Sequence, residues 1–160
     1  MFEVRVTKYD PKFRSIEGAY MRSDWTSVSD VGRAFNGVVL TREQYDRSES
    51  AYIFAAKAFL EETGASLVRI AGLEDPDARH SHYCEGAAIP VAEVGPVLAL
   101  LLREELWCRL ESPDAFIHVG NDFYMYVGTS KPCPFSQRRA VSSGLFVEPF
   151  RSPYHDESAA

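Results

Sequence analysis

The residues of this chain that could do metal chemistry lie close together in one polar loop. His80, His82 and Cys84 form an H-x-H-x-C run, and imidazole and thiolate groups are ligands that zinc prefers. A fourth ligand would have to come from another part of the chain, and the candidates are Cys108, Cys133 and His118. Structural zinc sites usually present two short-spaced pairs of ligands, whereas this chain offers one such run. We therefore expect an ordinary exposed loop here and no bound metal.

Cysteine catalysis is the second chemistry that the sequence allows. It requires a thiolate beside a histidine, in surroundings that stabilise the negative charge. Cys84 and His82 are the best pair, because Cys108 lies in an apolar run where burial would make its thiol inert. No glycine elbow or helix start stands behind Cys84 or Cys133. A small metal- or thiol-dependent enzyme using the 80–84 loop is therefore the alternative function.

Carboxylates could also serve as acid and base in a hydrolytic reaction. Five of them fall in segments rich in turn-forming residues: Asp24, Asp30, Asp75, Asp77 and Glu85. No feature of the sequence places two of them across a predicted cleft, and carboxylates are common on protein surfaces. Neither G-x-x-x-x-G-K-[ST] nor G-x-G-x-x-G occurs, so no phosphate-binding loop is predicted. We predict no catalytic residue and no cofactor.

The distribution of charge points to a cationic partner. The formal net charge is −6, and residues 41–113 carry the excess, with thirteen acidic and seven basic residues. A negative surface repels phosphate backbones and accelerates encounters with positively charged molecules. We therefore expect a protein partner with a basic surface and no nucleic-acid ligand. The alternative is that the negative charge only keeps the domain well hydrated and has no cationic partner.

Length and composition indicate one ordered domain. A chain of 160 residues with 46% hydrophobic and 25% charged residues can bury a core without disulfides or metals. The longest apolar run, residues 94–102, is too short to span a bilayer, and charges at positions 3, 5 and 8 do not fit a secretory leader. Three widely spaced cysteines suit a reducing compartment. We therefore expect a single cytoplasmic domain over residues 1–160 and no membrane association.

Hydrophobic periodicity predicts two strands and a helix in the first half of the chain. Residues 2–8 and, more weakly, 66–70 alternate between apolar and polar side chains, as strands do. Thr41 opens the capping box T-R-E-Q, which predicts a helix from there to Gly64. Residues 9–37 have the composition of a long loop, and loops of this length are often functional.

A second helix is predicted in the second half. Pro96 suits the first turn of a helix, because its missing N–H would have no partner there. Leucines then surround the axis as far as about Leu110, and this places Trp107 in the core. The sequence Ser112-Pro113 should end the helix.

A hairpin follows this helix. Gly120-Asn121 is typical of a two-residue type II′ turn, here between FIHV and DFYMYV. One short strand is expected at residues 145–147, and residues 152–160 are expected to form a frayed tail. The predicted fold is α+β, a mainly antiparallel sheet with a β-hairpin in the C-terminal half packed against two main helices.

The predicted hairpin would carry tyrosines on one face. With a two-residue turn, Asp122, Tyr124 and Tyr126 share that face. The opposite face is apolar and comprises Phe116, His118, Phe123, Met125 and Val127. Tyrosine is common in protein interfaces, although the C-terminal segment could cover this face instead. An exposed tyrosine face could also pair with itself, which would give a homodimeric adaptor.

Three stretches resemble a known group of proteins. They are DWTSVSDVG (residues 24–32), LREELWCRLE (residues 102–111) and GNDFYMYVG (residues 120–128). Together they resemble small bacterial immunity proteins of polymorphic or contact-dependent toxin systems, over most of residues 2–150. The resemblance implies a non-enzymatic inhibitor that binds a cognate toxin domain, which is often basic and often a nuclease.

Charge, aromatic content and this resemblance together select the residues expected to bind the partner. We expect an immunity-type protein that neutralises a toxin domain by direct contact. The expected contact residues are Asp24, Trp25, Asp30, Asp75, Asp77, Asp122, Tyr124 and Tyr126.

Overall fold

A seven-stranded antiparallel sheet is the framework of the chain in the computed structural model, which describes residues 1–156. Its strands run in the order β5-β4-β6-β7-β8-β1-β9, and β2 and β3 form a separate two-stranded hairpin. The bounds are β1 (Phe2–Thr7), β2 (Ala34–Phe35), β3 (Val38–Val39), β4 (Leu67–Glu74), β5 (Ala88–Pro90), β6 (Trp107–Glu111), β7 (Ala115–Val119), β8 (Met125–Thr129) and β9 (Phe146–Pro149). The predicted α+β class with an antiparallel sheet is confirmed.

Three helices accompany the sheet: α1 (Arg42–Thr63), α2 (Val94–Leu102) and α3 (Pro134–Ser142). Helix α1 is central, because it contacts both other helices and the middle strands β7 and β8. The inward residues of these strands, such as Ile117 and Val127, are fully buried in the core that the helices complete. Within residues 1–156, no helix combines the length and the apolar character needed to cross a membrane.

Helix α1 begins and ends at the predicted signals. The Gln44 backbone N–H donates to Thr41 Oγ1 at 3.1 Å, and the Thr41 N–H donates to Gln44 Oε1 at 3.2 Å, so both halves of the capping box are formed. Gly64 follows the helix with a φ of 81°, in the left-handed region where glycine has no steric penalty. The capping prediction is confirmed at both ends.

The second helix is shorter than predicted, and Trp107 does not lie on it. Helix α2 ends at Leu102, and Glu104 then adopts a left-handed φ of 59°. The Glu105 N–H bonds to the Leu100 carbonyl and the Glu104 N–H to the Leu101 carbonyl, which is the pattern of a Schellman cap. The segment WCRLE then forms β6, in which burial alternates along the strand. The prediction of a helix to Leu110 with a core Trp107 was wrong.

The β-hairpin exists, but its turn is longer than predicted. Val119 pairs with Met125 and Ile117 with Val127, so Gly120–Tyr124 form the connection. The register predicted from a two-residue turn is therefore wrong. In the structure, Met125 and Val127 lie on the opposite face of the hairpin from the one predicted for them. They share the core face with Ile117 and Val119, whereas Tyr126 shares the other face with Phe116 and His118.

The longer turn is explained by Phe123. Asp122 and Phe123 both adopt left-handed φ angles, 61° and 63°, a conformation that costs free energy for residues other than glycine. In return, the Phe123 ring is buried against the rings of Trp25, Tyr45 and Tyr52. Burial of this aromatic ring outweighs the local strain, a balance that turn composition alone does not reveal.

Helix α3 was not predicted from the sequence. Pro134 occupies the first turn, where its missing N–H leaves no bond unmade. The Ser136 N–H and hydroxyl both donate to the Glu62 carboxylate of α1, which replaces a capping side chain. Proline and serine, taken as signs of an irregular segment, here mark the start of a helix.

The C-terminal strap, residues 150–156, lies across the sheet face opposite the helices. The buried Ser152 hydroxyl lies 2.7 Å from His118 Nδ1, and the Ser152 N–H donates to Glu3 at 2.8 Å. His155 also bonds to Glu3, at 3.0 Å. For residues 152–156 the expected frayed tail is thus replaced by a bonded segment, and residues 157–160 lie outside the described residues.

The contact between Glu49 and Arg103 generates the first prediction. Glu49 on α1 is buried, and its carboxylate accepts hydrogen bonds from Arg103 at 2.7 and 2.8 Å and from the Tyr45 hydroxyl. We expect Arg103→Met to lower the free energy of unfolding by roughly 2 to 4 kcal/mol, because a buried carboxylate loses its cation. Equilibrium denaturation measures this loss.

Two further variants control that prediction. Arg47→Met removes the exposed ion pair between Arg47 and Glu43 and should cost less than about 1 kcal/mol. The double variant Glu49→Gln, Arg103→Met should lose less stability than Arg103→Met alone, since no unpaired charge remains buried. A double variant as unstable as the single one would contradict the explanation.

His118 generates the second prediction. Burial lowers the pKa of this imidazole from 6.5 to about 4, although the Glu111 carboxylate beside it acts in the opposite direction. His155 and Arg109 also face it and disfavour its protonation. Between pH 6.5 and 4 the unfolded chain therefore binds more protons than the folded chain, so stability is fully present above pH 6.5 and falls on acidification through this window.

We expect His118→Gln to flatten that decline, because glutamine does not titrate there. The measurement is the free energy of unfolding at several pH values between 4 and 7. His82→Gln, at an exposed loop position, is the matched control and should leave the decline unchanged. Equal slopes for the wild type and His118→Gln would refute the assignment.

Candidate functional site

Two concave surfaces lie near the β7–β8 turn and differ in charge. The lysine cleft, named for Lys8, has a volume of about 510 Å³. The tryptophan groove, named for Trp107, has a volume of about 430 Å³. Both volumes fall in the range of ordinary ligand sites.

The lysine cleft is built by the long segment between β1 and α1. This segment contains two 3-10 turns, Pro11–Phe13 and Val28–Asp30, and the small β2–β3 hairpin, so part of the predicted loop is structured. The residues that line the cleft include aromatic, cationic, acidic and aliphatic side chains: Lys8, Asp10, Lys12, Phe13, Tyr20, Arg22, Asp24, Trp25, Phe35, Val38 and Val39, among others.

Lys8 forms the floor of this cleft. Its ammonium lies 4.0 Å from the centre of the Trp25 ring and 4.3 Å from that of Tyr9. Asp24 Oδ2 is 3.0 Å away, at ion-pair distance. Burial lowers the pKa of Lys8 to about 8, although Asp24 opposes this change.

Four of the residues expected to contact a partner lie in or beside this cleft. Asp24 and Trp25 line it, but Trp25 is buried. Asp30 is also buried and accepts hydrogen bonds from Thr26 N–H at 2.9 Å and Arg33 at 3.1 Å, so its carboxylate holds the loop together. Tyr124 lies behind the cleft and is half-buried, stacked on Tyr9.

The tryptophan groove lies on the other side of the turn. It is formed by the end of β4, the segment after α2, the start of β6, the β7–β8 turn and the strap. The lining residues are Glu74, Pro76, Leu101, Glu104, Leu106, Trp107, Gly120, Asn121 and Tyr154. Leu101 and Leu106 are buried, Trp107 and Tyr154 are half-buried, and both glutamates are exposed. The groove therefore has apolar and aromatic residues within and carboxylates in contact with solvent.

The aromatic residues of the groove are held firmly. The Trp107 indole N–H donates to the Val119 carbonyl at 2.8 Å, and the Tyr154 ring centre is 5.7 Å from that of Trp107. A Cβ atom at Gly120 would lie only 2.8 Å from Cε2 of Tyr154, so glycine is needed for the ring to occupy this position. The strap thus completes the groove.

Carboxylates surround this groove. Glu104 Oε1 accepts a hydrogen bond from the Asp122 N–H at 3.3 Å, which places the exposed Asp122 beside the lining. Asp75 and Asp77 flank the lining residue Pro76. Of the predicted contact residues, Asp77 and Asp122 are exposed beside the groove, whereas Asp75 is half-buried and its Oδ2 accepts a hydrogen bond from the His80 N–H at 2.9 Å.

Tyr126 lies apart from both clefts. It is buried on the sheet face under the strap, next to the rings of Phe150 and Tyr154. Of the predicted tyrosine face, Tyr126 is therefore covered by the C-terminal segment, whereas Tyr124 is half-buried against Tyr9 and Asp122 is exposed.

The 80–84 loop gathers no further ligand in the structure. Within residues 1–156, no group of three or more His, Cys, Asp or Glu side chains has a metal-binding arrangement. Cys84 is exposed, and its thiol contacts the Ser81 carbonyl at 3.8 Å. Burial raises the pKa of Cys108 to about 12 and also raises that of Cys133. A catalytic thiol needs a lowered pKa, so these two buried thiols are poorly suited to nucleophilic attack.

Several residues of the two clefts were missed by the sequence analysis. Lys8 was assigned to a strand end, Trp107 to the core and Tyr154 to a frayed tail. Glu104 had no recognisable signal, because its left-handed conformation depends on where α2 ends. Of the DWTSVSDVG stretch, Asp24 and Trp25 line the lysine cleft.

Lys8 generates the third prediction. We expect its ammonium to titrate with a pKa of about 8, and Asp24→Asn to lower that pKa further, because the carboxylate stabilises the charged form. Side-chain NMR of the lysine Cε methylene over pH 6 to 11 measures both values, and the exposed Lys131 is an internal control. A higher pKa for Lys8 in the Asp24→Asn variant would contradict the ion pair.

Comparisons with known proteins return no match: no protein-family model, no curated protein and no solved structure is significantly similar to this chain.

Proposed function

We propose that this protein is a non-enzymatic, immunity-type inhibitor that binds a cationic toxin domain through the tryptophan groove and the carboxylates around it. The single observation that carries the proposal is the composition of that groove. Half-buried aromatic rings lie next to exposed carboxylates on a rigid sheet end. This combination of an aromatic anchor and a charged rim is typical of protein-binding surfaces.

The charge of the chain supports the same partner. The acidic excess falls in residues 41–113, and this segment supplies Glu74 and Glu104 of the lining as well as Asp75 and Asp77 beside it. A concentrated negative field increases the rate of encounter with a basic domain. A basic toxin domain is therefore a better fit than an acidic or neutral partner.

The groove also favours binding over chemistry. Its polar lining consists of carboxylates and one amide, and no thiol, hydroxyl nucleophile or imidazole is among the lining residues apart from the Tyr154 phenol. Glutamates exposed to solvent lack the apolar surroundings that prepare a carboxylate for acid–base catalysis. Stable occupation by a partner is the function that this composition serves best.

The fourth prediction tests the proposal through association kinetics. The protein is co-purified with the product of the gene directly upstream, where a toxin gene would stand, and association is measured at two salt concentrations. We expect a complex whose association rate falls as salt rises. The triple variant Asp75→Asn, Asp77→Asn, Asp122→Asn should associate roughly 3- to 10-fold more slowly at low salt, because electrostatic steering is reduced.

Glu93→Gln is the matched control for this experiment. Glu93 is also exposed but precedes α2, whereas Glu104 follows the other end of that helix. It should associate at the wild-type rate. Absence of a complex with the upstream product, or a complex whose association ignores both salt and the triple substitution, would contradict the proposal.

A further inference from the structure

We infer that the tryptophan groove is a receptor for one arginine side chain of the partner, with the guanidinium held by Glu74 and Glu104 against the Trp107–Tyr154 wall. This inference rests on the proposed function, because it names the group on the partner that the groove accepts. It adds a specific recognition element to a surface otherwise defined by its charge.

The carboxylates are the first element of this receptor. Within residues 1–156, neither Glu74 nor Glu104 belongs to an ion pair. The nearby Asp77, by contrast, already has a cationic neighbour, because its carboxylate lies 3.5 Å from Arg79. The two lining glutamates are thus left to interact with a cation from outside.

The aromatic wall is the second element. Trp107 and Tyr154 are half-buried, and their contact with each other leaves no gap for a ring or cation between them. A cation must therefore lie against the outer surface of the wall. Indole and phenol faces attract cations through the negative potential of the ring, so the wall and the carboxylates favour the same occupant.

Arginine fits these two elements better than lysine. The planar guanidinium stacks on aromatic faces and offers five N–H donors, enough to bond two separate carboxylates at once. Its aliphatic stem would lie on the apolar floor formed by Leu101 and Leu106. The ammonium of lysine is a compact, strongly hydrated charge that stacks less well on an aromatic ring face.

The groove is also preorganised for its occupant. Glu104 is fixed by the Schellman cap of α2 and by its bond to the Asp122 N–H, and Trp107 is fixed by its bond to Val119. Tyr154 is held by the strap against Gly120. A receptor whose side chains are already positioned loses little conformational entropy on binding.

The lysine cleft is excluded as a second arginine site. Lys8, Lys12 and Arg22 line it against two aspartates, Asp10 and Asp24, so its lining carries more cations than carboxylates. A guanidinium would be repelled there. The chain therefore has one tryptophan in each site. Trp107 lies in the groove that should bind a guanidinium, and Trp25 lies in the lysine cleft that should repel one.

The experiment uses a short peptide with a single arginine and the same peptide with neutral citrulline, which keeps the shape but removes the charge. Binding to the full chain is followed by the indole N–H resonances of Trp107 and Trp25 in NMR titrations. We expect the arginine peptide to shift the Trp107 signal in a saturable manner and to leave Trp25 unchanged. The citrulline peptide should bind at least about tenfold more weakly, since charge-assisted hydrogen bonds are lost.

Single substitutions of the carboxylates complete the test. Glu74→Gln and Glu104→Gln should each weaken the arginine peptide about tenfold, whereas Glu93→Gln should not change its affinity. Because both glutamates are exposed, these variants should keep the fold, and an unchanged Trp25 resonance verifies it. No shift at Trp107, equal binding of the citrulline peptide, or full affinity in both glutamine variants would overturn the inference.

Failure of this inference is distinguishable from failure of the proposed function. If the toxin complex forms with salt-sensitive kinetics but the peptide does not bind the groove, the arginine receptor is wrong and the function stands. If the peptide binds as expected but no complex with the upstream product forms, the receptor stands and the proposed function is wrong.

Discussion

The packing of Phe123 into the aromatic core is the contact on which the rest of this structure depends. Its ring centre lies 4.9 Å from that of Trp25 and 5.1 Å from that of Tyr52, which joins the hairpin turn to the N-terminal segment and to α1. The backbone takes part as well: the Tyr52 hydroxyl donates to the Phe123 carbonyl at 2.9 Å, and the Tyr9 hydroxyl donates to the Asp122 carbonyl at 2.7 Å. Sheet, helix and loop thus meet at a single turn.

That one turn separates two surfaces of different character. Asn121 lines the tryptophan groove. The Asp122 carbonyl accepts a hydrogen bond from Tyr9, whose neighbours Lys8 and Asp10 line the lysine cleft. The left-handed conformations of Asp122 and Phe123 allow neighbouring residues of this turn to contact the tryptophan groove and the lysine cleft. Backbone strain is commonly retained where it shapes a functional surface, and the position of this turn between the clefts agrees with that pattern.

Local signals predicted the elements that local interactions determine. The capping box at Thr41, the glycine stop at Gly64 and the strand β1 needed only neighbouring residues, and all three are found in the structure, although burial along β1 does not alternate. Tertiary contacts decided the rest. The segment after α2 forms β6, which lies between β4 and β7 and pairs with both. The register of the hairpin follows the burial of Phe123. The tryptophan groove was not predicted, because it joins Trp107, which was assigned to a helix, with Tyr154, which was assigned to a frayed tail.

The contact between Gly120 and Tyr154 couples two positions that are distant along the chain. Because a side chain at position 120 would enter the space of the Tyr154 ring, replacement of the glycine is compatible with the fold only when residue 154 becomes smaller or turns away. The two positions should therefore vary together among homologous chains, as a pair that changes in concert. A homologue with a larger residue at position 120 would be expected to lack the aromatic residue at position 154, and with it half of the wall beside Trp107.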